Sequence, residues 1–350
     1  MNNIKKIGVS ALAGSLAMVS AHAVEYTMTG GMVATYSQAT GAATTTGESG
    51  SGIGTATDLS FNASGELDNG FTIAYFMGVN TDSALSNSSS QMTIGMGSLG
   101  SLHINNVGGS KANAIDDITP NAYNETWDGL TAASTNNNPS FFGSRTSSGS
   151  IDYRIPAQEA EGFTVNAAVT FDPNADLGST TKGGVQTGGT AGGALVLQVA
   201  HESGLEIGGG IEVVNQDNAS STNGGGSGGE NATGYIKYAQ GGLSLAYQEA
   251  YQDSSIGNGT NALDAPDKEA EMMSIAYTMG DMTFSYAQSE VIVKAEGATA
   301  ALPTIELDSI QAAYVMGAMT VSAAISKTDN SGGVLADDYK ENQLAVSFAF

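Results

Sequence analysis

Carboxylates make up most of the ionisable side chains, so most of the chemistry open to this chain is the chemistry of Asp and Glu. The sequence has 35 Asp and Glu, 11 Lys and Arg, three His and no Cys in 350 residues. The absence of cysteine excludes disulfides, thiolate metal ligands and Cys nucleophiles. The net charge of −24 argues against nucleic acid as a partner, because phosphates require a basic surface.

Two patterns could support hydrolysis, but neither has the context that it needs. A Ser-His-Asp site requires one His with a positioned Ser and carboxylate. Ser and Asp are so frequent here that their coincidence with His103 or His201 carries no weight. The G-x-S-x-G pattern at 225–229 lies in a Gly-rich, low-complexity stretch and not between a strand and a helix. We therefore expect no enzyme, no catalytic residue and no bound cofactor.

Acidic clusters in polar segments could bind calcium, which takes six to eight oxygen ligands. The candidate clusters are Asp116-Asp117, then Asp264, Asp267 and Glu269, then Asp329 with Asp337-Asp338. No Ca²⁺ loop of the D-x-[DN]-x-[DN]-G type is present. Solvated loop tips explain each cluster as well, so the metal stays undetermined. A secreted, calcium-dependent, β-rich surface adhesin remains an alternative function.

The connection between residues 108 and 147 collects ionisable and aromatic residues. Its ionisable residues are Lys111, Asp116, Asp117, Glu125, Asp128 and Arg145. It also contains Trp127, the only tryptophan, and the pair Phe141-Phe142. An unstructured connection of about 40 residues is uncommon in a compact protein unless it has a function. Composition alone leaves open whether it folds inward or extends into solvent.

The N-terminal residues 1–23 have the features of a secretory signal peptide. Lys5 and Lys6 precede the apolar segment 7–19, and Ala21-His22-Ala23 forms an A-x-A cleavage pattern. We expect cleavage after Ala23. No later segment has 18 consecutive apolar residues, so a membrane-spanning form would have to be a closed β-barrel.

Apolar and polar residues alternate through nearly all of the remaining chain, 24–350. In the final segment the apolar face consists of Leu344, Val346, Phe348 and Phe350. Alternation with a period of two predicts strands that have one apolar and one small or polar face. The sixteen predicted strands are 25–37, 57–67, 70–79, 90–97, 100–107, 148–154, 162–171, 193–202, 204–215, 231–240, 242–252, 270–279, 281–292, 306–316, 317–327 and 340–350.

The predicted connections alternate between short turns and long polar loops. This arrangement is typical of outer-membrane barrels, in which the short turns are periplasmic and the long loops external. A soluble β-sandwich would need the second face of each strand to fill a core, but that face is rich in Thr, Ser, Asn, Gln, Ala and Gly. The predicted fold is therefore all-β: a 16-stranded antiparallel transmembrane β-barrel forming one domain.

The signal peptide, the strands and the terminal Phe350 together resemble the general diffusion porins of Gram-negative bacteria. The segment Ser64-Gly-Glu-Leu-Asp-Asn-Gly70 is similar to the first strand-turn segment of alphaproteobacterial porins. The resemblance implies a homotrimer of water-filled barrels, each narrowed by its third long loop, which here is 108–147. Phe348 and Phe350 resemble the family's signal for the barrel-assembly machinery.

An inward loop predicts which residues meet the solute. The predicted constriction residues are Asp116, Asp117, Glu125, Asp128, Arg145, Arg154 and Lys237. Alternation also points five wall residues into the lumen, namely Asp58, His103, Asp152, Glu206 and Glu212. The family often places an arginine cluster opposite an acidic loop, and this chain has few bases for one, which argues against a strong transverse field. Excess carboxylate predicts a weak cation preference, blunted by salt screening.

The sequence therefore predicts passive diffusion of small hydrophilic solutes and ions across the outer membrane. A substrate-selective porin with an internal binding site is an alternative, beside the adhesin. The expected partners are outer-membrane lipid, lipopolysaccharide and the barrel-assembly machinery.

Overall fold

The computed structural model describes residues 25–41, 49–80, 86–173, 191–214, 229–253, 267–294 and 302–350. In these ranges the regular structure consists of β-strands and short 3-10 turns. The predicted signal peptide 1–23 lies outside the described residues, as do residues 225–228 of the Gly-rich motif and the calcium candidate Asp264.

The strands form one antiparallel sheet that closes on itself. They are β1 (Glu25–Gly41), β2 (Gly50–Glu66), β3 (Thr72–Asn80), β4 (Ser86–Gly95), β5 (Ser101–Val107), β6 (Ser150–Arg154), β7 (Gln158–Ala160), β8 (Phe163–Asp172), β9 (Gly192–His201), β10 (Leu205–Val214), β11 (Gly229–Gln240), β12 (Leu243–Asp253), β13 (Asp267–Met279), β14 (Met282–Lys294), β15 (Ile305–Met316), β16 (Met319–Asp329) and β17 (Tyr339–Ala349). Each strand pairs with its neighbour, and β17 pairs with β1. Because β6 and β7 both pair with β8, they are two segments of one strand position. The predicted 16-stranded barrel is confirmed.

The two faces of each strand differ in the way that the alternation predicts. On β13, Met273, Ile275 and Tyr277 are 44–48% exposed, whereas Met272 and Ser274 between them are buried. The exposed side chains face outward and form an apolar band, as expected for a wall in contact with lipid hydrocarbon. Small and polar side chains face the interior.

A row of glutamates ends the apolar band on one side of the barrel. Glu249, Glu271, Glu290 and Glu306 are direct partners across β12, β13, β14 and β15, on the outward faces and nearer the long loops. Outward charges are costly at the bilayer midplane and tolerated near its surface. The row therefore lies toward the surface of the bilayer and away from its midplane, a feature that the sequence analysis did not identify.

The largest difference from the predicted strand limits lies near the N-terminus. The connection predicted at 38–56 is mostly strand, because β1 continues to Gly41 and β2 begins at Gly50. Residues 50–56 are rich in Gly, Ser and Thr, which suggested a loop. Their backbone groups pair instead with β1, from Ala39 opposite Gly50 to Val33 opposite Ala56. Backbone pairing with a neighbouring strand outweighs a weak local preference for strand.

The barrel closes where β1 meets the end of β17. Gly30 and Phe350 exchange two backbone hydrogen bonds, of 2.8 and 2.9 Å. The ring of Phe350 packs over Gly30 so closely that a Cβ on Gly30 would lie 2.6 Å from it. Only glycine leaves room for this ring on the outward face of the closing strand pair.

Candidate functional site

The long connection between β5 and β6 lies inside the barrel. Its backbone bonds to wall side chains that face inward and are almost fully buried, such as Gln248 (0% exposed) and Gln311 (2%). Their strand neighbours, including Ile310, face outward and are exposed. The predicted inward-folded third loop is confirmed, and below it is called the inner loop.

The middle of the inner loop runs across the strands of the wall. Its residues bond to β12, β13, β14, β15 and β17 in the order of the chain: Ile118 to Gln248, Pro120 to Ser274, Ala122 to Ser285, Tyr123 to Gln311 and Asn124 to Gln343. The loop therefore follows the wall and does not hang free in the lumen. Sequence reasoning did not identify these polar wall residues as anchors.

Two apolar clusters hold the ends of this middle segment. Ala112, Ile115 and Phe142 of the loop pack with Val196 of β9 and Tyr235 of β11. The second cluster joins Leu130 and Phe141 to inward side chains of β13, β14 and β15, namely Met272, Val291, Val293, Ile305 and Leu307. Trp127 packs against the second cluster, and its indole N–H donates to Ser140 Oγ at 3.1 Å. The adjacent Phe141 and Phe142 thus serve different clusters.

Four carboxylates, called here the acidic segment, lie on the inner loop: Asp116, Asp117, Glu125 and Asp128. All are partly exposed. Local donors orient three of them. Asp117 Oδ1 accepts from Thr119 N and Oγ1 at 2.7 and 2.5 Å, and Asp128 Oδ2 accepts from Glu125 N at 3.0 Å. Asp116 Oδ1 accepts from the Asp117 N–H at 2.9 Å.

Burial and mutual repulsion make the acidic segment harder to ionise than free carboxylates. Burial raises the pKa of Asp116 to about 6, although the Asp117 N–H opposes the shift. Burial, together with the charges of Asp117, Asp116 and Asp128, raises the pKa of Glu125 to about 8. Burial likewise raises the pKa of Asp117 and of Asp128. No basic side chain contributes to any of these four shifts.

Two basic side chains, Arg154 and Lys111, lie at the start of the inner loop. Arg154 of β6 pairs with Asp152 at 2.9 Å and also donates to the carbonyl of Gly109. Burial and the charge of Arg154 lower the pKa of Lys111. Lys237 of β11 lies directly opposite Glu206 of β10. Lys111, Arg154 and Lys237 thus lie toward β6 to β11, whereas the middle of the inner loop, which carries the acidic segment, follows β12 to β17. Lys268 of β13 is a further cation on the inward face.

Asp152 and Glu212 face inward as expected, but they do not line open water. Both are 0% exposed because the inner loop covers them. Asp152 accepts from the Lys111 N–H at 2.6 Å and from Thr170 Oγ1 at 2.6 Å. Glu212 accepts from Thr146 N and Oγ1 at 2.7 and 2.8 Å, and from Asn231 at 2.6 Å. Asp152 and Glu212 therefore anchor the inner loop to the wall and do not line the pore as expected.

The remaining predicted residues are dispersed. Asp58 lies exposed on the inward face of β2, opposite Gly31. Glu206 accepts a hydrogen bond from Tyr235 at 2.6 Å. Arg145, on the loop, lies beside Gly229 at the start of β11, away from the acidic segment. Phe348 and Phe350 are exposed on the outward face.

His103 has a serine neighbour but no carboxylate on its other nitrogen. Ser101 Oγ lies 2.8 Å from Nε2, whereas Nδ1 faces Thr93 Oγ1 and Gln91 Oε1 at 3.0 and 3.1 Å. Asp152 is the partner of His103 across β5 and β6, but its oxygens bond elsewhere. The geometry of a Ser-His-Asp site is therefore not completed at this His.

Glu341 of β17 was not predicted as a site residue, although it lies beside the acidic segment. A Cβ on Gly129, next to Asp128, would collide with the Glu341 carboxylate, and Gly129 has a φ of 79°. Extending the alternation of the last strand backward from Gln343 would have placed Glu341 on the inward face.

Among the described residues, no helix is long and apolar enough to cross a membrane. Within the same ranges, no group of three or more His, Cys, Asp or Glu side chains is placed to hold a metal ion.

A closed barrel with an apolar exterior and a charged loop inside is the architecture of an outer-membrane channel protein. The profile of the Gram-negative porin family matches residues 8–350, and the chain belongs to that family. The resemblance found in the sequence is confirmed. The protein is therefore an outer-membrane porin, and the family consists of channels and not of enzymes.

Solved porins share the fold at low sequence identity. Salmonella typhi OmpF, in complex with daunomycin, is 15% identical with a TM-score of 0.67, covering 93% of this chain and 98% of that one. The anion-selective porin of Comamonas acidovorans is 13% identical with a TM-score of 0.63, covering 94% and 100%. OmpT of Vibrio cholerae, in its trimer form, is 10% identical with a TM-score of 0.61, covering 94% and 100%. No curated protein sequence matches the chain.

Proposed function

We propose that this porin passes small hydrophilic solutes and ions by diffusion, with a modest preference for cations. The observation that carries the proposal is the acidic segment, four partly exposed carboxylates on a loop that crosses the inside of the barrel. Fixed charges along a narrow aqueous path concentrate ions of opposite sign.

The sign of the preference follows from the residues and not from the fold. The Comamonas porin has the same fold and is described as anion-selective. In this chain Arg154 is paired with Asp152, and Lys237 lies opposite Glu206, so each of these cations has a carboxylate beside it. The acidic segment has no such basic neighbour among the groups that shift its pKa values.

Two effects keep the proposed preference modest. Salt screens charges over about 8–10 Å at ordinary ionic strength. In addition, a pKa of about 8 leaves Glu125 largely protonated at neutral pH, so it adds little charge there. The proposed selectivity at neutral pH therefore rests mainly on the three aspartates.

The test is the reversal potential of the purified porin in a planar bilayer under a salt gradient. The double variant Asp116→Asn/Asp117→Asn should move the reversal potential toward that of a non-selective pore. The matched control, Glu271→Gln/Glu290→Gln, removes the same charge from the outward row and should leave it unchanged. An unchanged reversal potential in the Asp variant would exclude the acidic segment as its source.

The same recordings address the alternatives. Saturable block by one particular solute would favour a substrate-selective porin with an internal binding site. A folded, inserted barrel without conductance would exclude the diffusion function and reopen the adhesin alternative.

We further propose cleavage of a signal peptide after Ala23 to leave a single barrel domain, and assembly into homotrimers. The trimer form of the Vibrio porin, which shares the fold, supports the second point. Contact with lipopolysaccharide remains a prediction, and so does recognition of Phe348 and Phe350 by the barrel-assembly machinery, which the resemblance implies. Calcium at the acidic loops is suggested only by their carboxylates and stays undetermined.

A further inference from the structure

Two buried glutamines of the wall enclose the backbone of the inner loop beside the acidic segment. The first is Gln248 on β12. Its Oε1 accepts from the Ile118 N–H at 2.9 Å, and its Nε2 donates to the carbonyls of Ile115 and Asp116 at 2.9 and 3.1 Å. One side chain thus holds the loop backbone on both sides of Asp116 and Asp117.

The second glutamine is Gln311 on β15. Its Oε1 accepts from the N–H groups of Tyr123 and Asn124 at 2.8 and 3.1 Å, and its Nε2 donates to the carbonyl of Asn124 at 2.6 Å. These bonds end at the residue that precedes Glu125. The two glutamines therefore hold the loop next to three of the four carboxylates.

An amide side chain suits this position for a chemical reason. The loop presents both N–H and C=O groups to the buried wall, and buried backbone groups must be paired. Glutamine both donates and accepts, whereas an ionised glutamate only accepts and methionine does neither. Each glutamine also binds a wall hydroxyl, Thr233 Oγ1 or Ser309 Oγ, which fixes its own orientation.

We infer that Gln248 and Gln311 are positioning residues for ion selectivity, which they set through the loop and without contact with the ion. The inference rests on the proposed role of the acidic segment. The apolar clusters at Ile115 with Phe142, and at Leu130 with Phe141, hold the loop inside the barrel independently. Loss of the glutamine bonds should therefore loosen the middle of the loop and leave it in the lumen.

The test compares Gln248→Met/Gln311→Met with Gln252→Met. Methionine is close to glutamine in length and removes both hydrogen-bonding groups. Gln252 lies on the same face of β12 as Gln248, four residues further along, and no hydrogen bond from it to the inner loop is seen in the described residues. If the double variant does not fold, each single Gln→Met variant takes its place.

Two readouts separate positioning from simple stabilisation. Hydrogen exchange of the peptide covering 115–124 should become about five- to tenfold faster in the double variant and stay unchanged in Gln252→Met. The reversal potential should move toward the non-selective value, with greater open-channel noise, while the barrel strands keep their exchange protection.

The outcomes can be told apart. Unchanged exchange in the 115–124 peptide would overturn the inference. Faster exchange with an unchanged reversal potential would also overturn it, provided that Asp116→Asn/Asp117→Asn does shift that potential. If Asp116→Asn/Asp117→Asn does not shift the reversal potential, the acidic segment is not the source of the proposed cation preference. In that case the glutamines cannot set ion selectivity through the acidic segment either. Faster exchange and a shifted potential together support the inference.

Discussion

Carboxylates inside the barrel occur in two arrangements that use the same functional group in different ways. Asp152 and Glu212 are fully covered by the inner loop, and each receives hydrogen bonds from loop and wall. The acidic segment is only partly covered, and its raised pKa values arise from burial and from neighbouring carboxylates. The first pair is surrounded by donors, whereas the second group forms no salt bridge with a basic side chain of the described residues.

This difference separates structural charge from functional charge. A buried carboxylate that is matched by donors stabilises the contact between loop and wall, and its field is compensated locally. The charge of a partly exposed carboxylate that has no paired cation is not compensated locally, so its electric field extends into the water of the channel. Removing a charge from the first group should therefore affect stability, whereas removing one from the second should affect ion flow.

The largest expected effect is on stability, in Asp152→Ala. The substitution removes the partner of Arg154 and leaves the Lys111 N–H and Thr170 Oγ1 without their acceptor. Breaking a fully buried pair costs about 3–5 kcal/mol. Because Arg154 is partly exposed and keeps its bond to Gly109, we expect a loss of about 3 kcal/mol, at the lower end of this range. The measurement is the free energy of unfolding in detergent, with Asp58→Ala as the control, because Asp58 is an exposed inward carboxylate. A decrease in the free energy of unfolding below about 1 kcal/mol would show that Asp152 contributes no more to stability than an ordinary surface charge.

A smaller loss is expected for Glu212→Met. It leaves the N–H of Thr146 and the amide of Asn231 unpaired at a cost of about 1–3 kcal/mol. Glu212→Gln is the matched control, because its oxygen still accepts from Thr146. Its NH₂ can donate to Asn231 Oδ1 once the Asn231 amide turns over, and that oxygen has no partner among the described residues. Both variants should keep the wild-type reversal potential, and a shift in either would show that Glu212 also acts on ions.

The smallest expected effect is a pH dependence of selectivity. Cation preference needs ionised carboxylates, so it should weaken as the pH falls, first as Glu125 takes up a proton near its pKa of about 8 and then as Asp116 does so near about 6. An unshifted carboxylate would titrate only near about pH 4. The measurement is the reversal potential as a function of pH.

Glu125→Gln supplies the control for this titration. It should abolish the step near pH 8 and keep the step near pH 6. A curve that stays flat down to about pH 5 in the wild type, above the range of unshifted carboxylates, would contradict the crowding of the acidic segment.

The barrel could be predicted from the sequence because its pattern is local. Alternation on β13 or β17 needs only neighbouring residues to decide which face meets lipid. The prediction was wrong at residues 50–56, where Gly, Ser and Thr suggest a loop although β1 supplies their hydrogen-bond partners. The sequence of such a segment does not show that it pairs with another strand.

The candidate site was less accessible to sequence reasoning. The position of the acidic segment depends on wall contacts such as Ile118 with Gln248, which join residues 130 positions apart. Nothing near Gln248 or Gln311 distinguishes them from other inward polar residues. Alternation places Asp152 and Glu212 on the inward face, but only the course of the loop shows that they are covered.

The pairing of Gly30 with Phe350 has a consequence for how the barrel assembles. β1 is an edge strand until β17 arrives, although the two strands stand at opposite ends of the described chain. An open edge exposes unpaired backbone groups to other chains, and contacts between distant residues form slowly. The growing sheet is therefore most vulnerable to aggregation just before closure, and the ring of Phe350 over Gly30 completes the step that ends this risk.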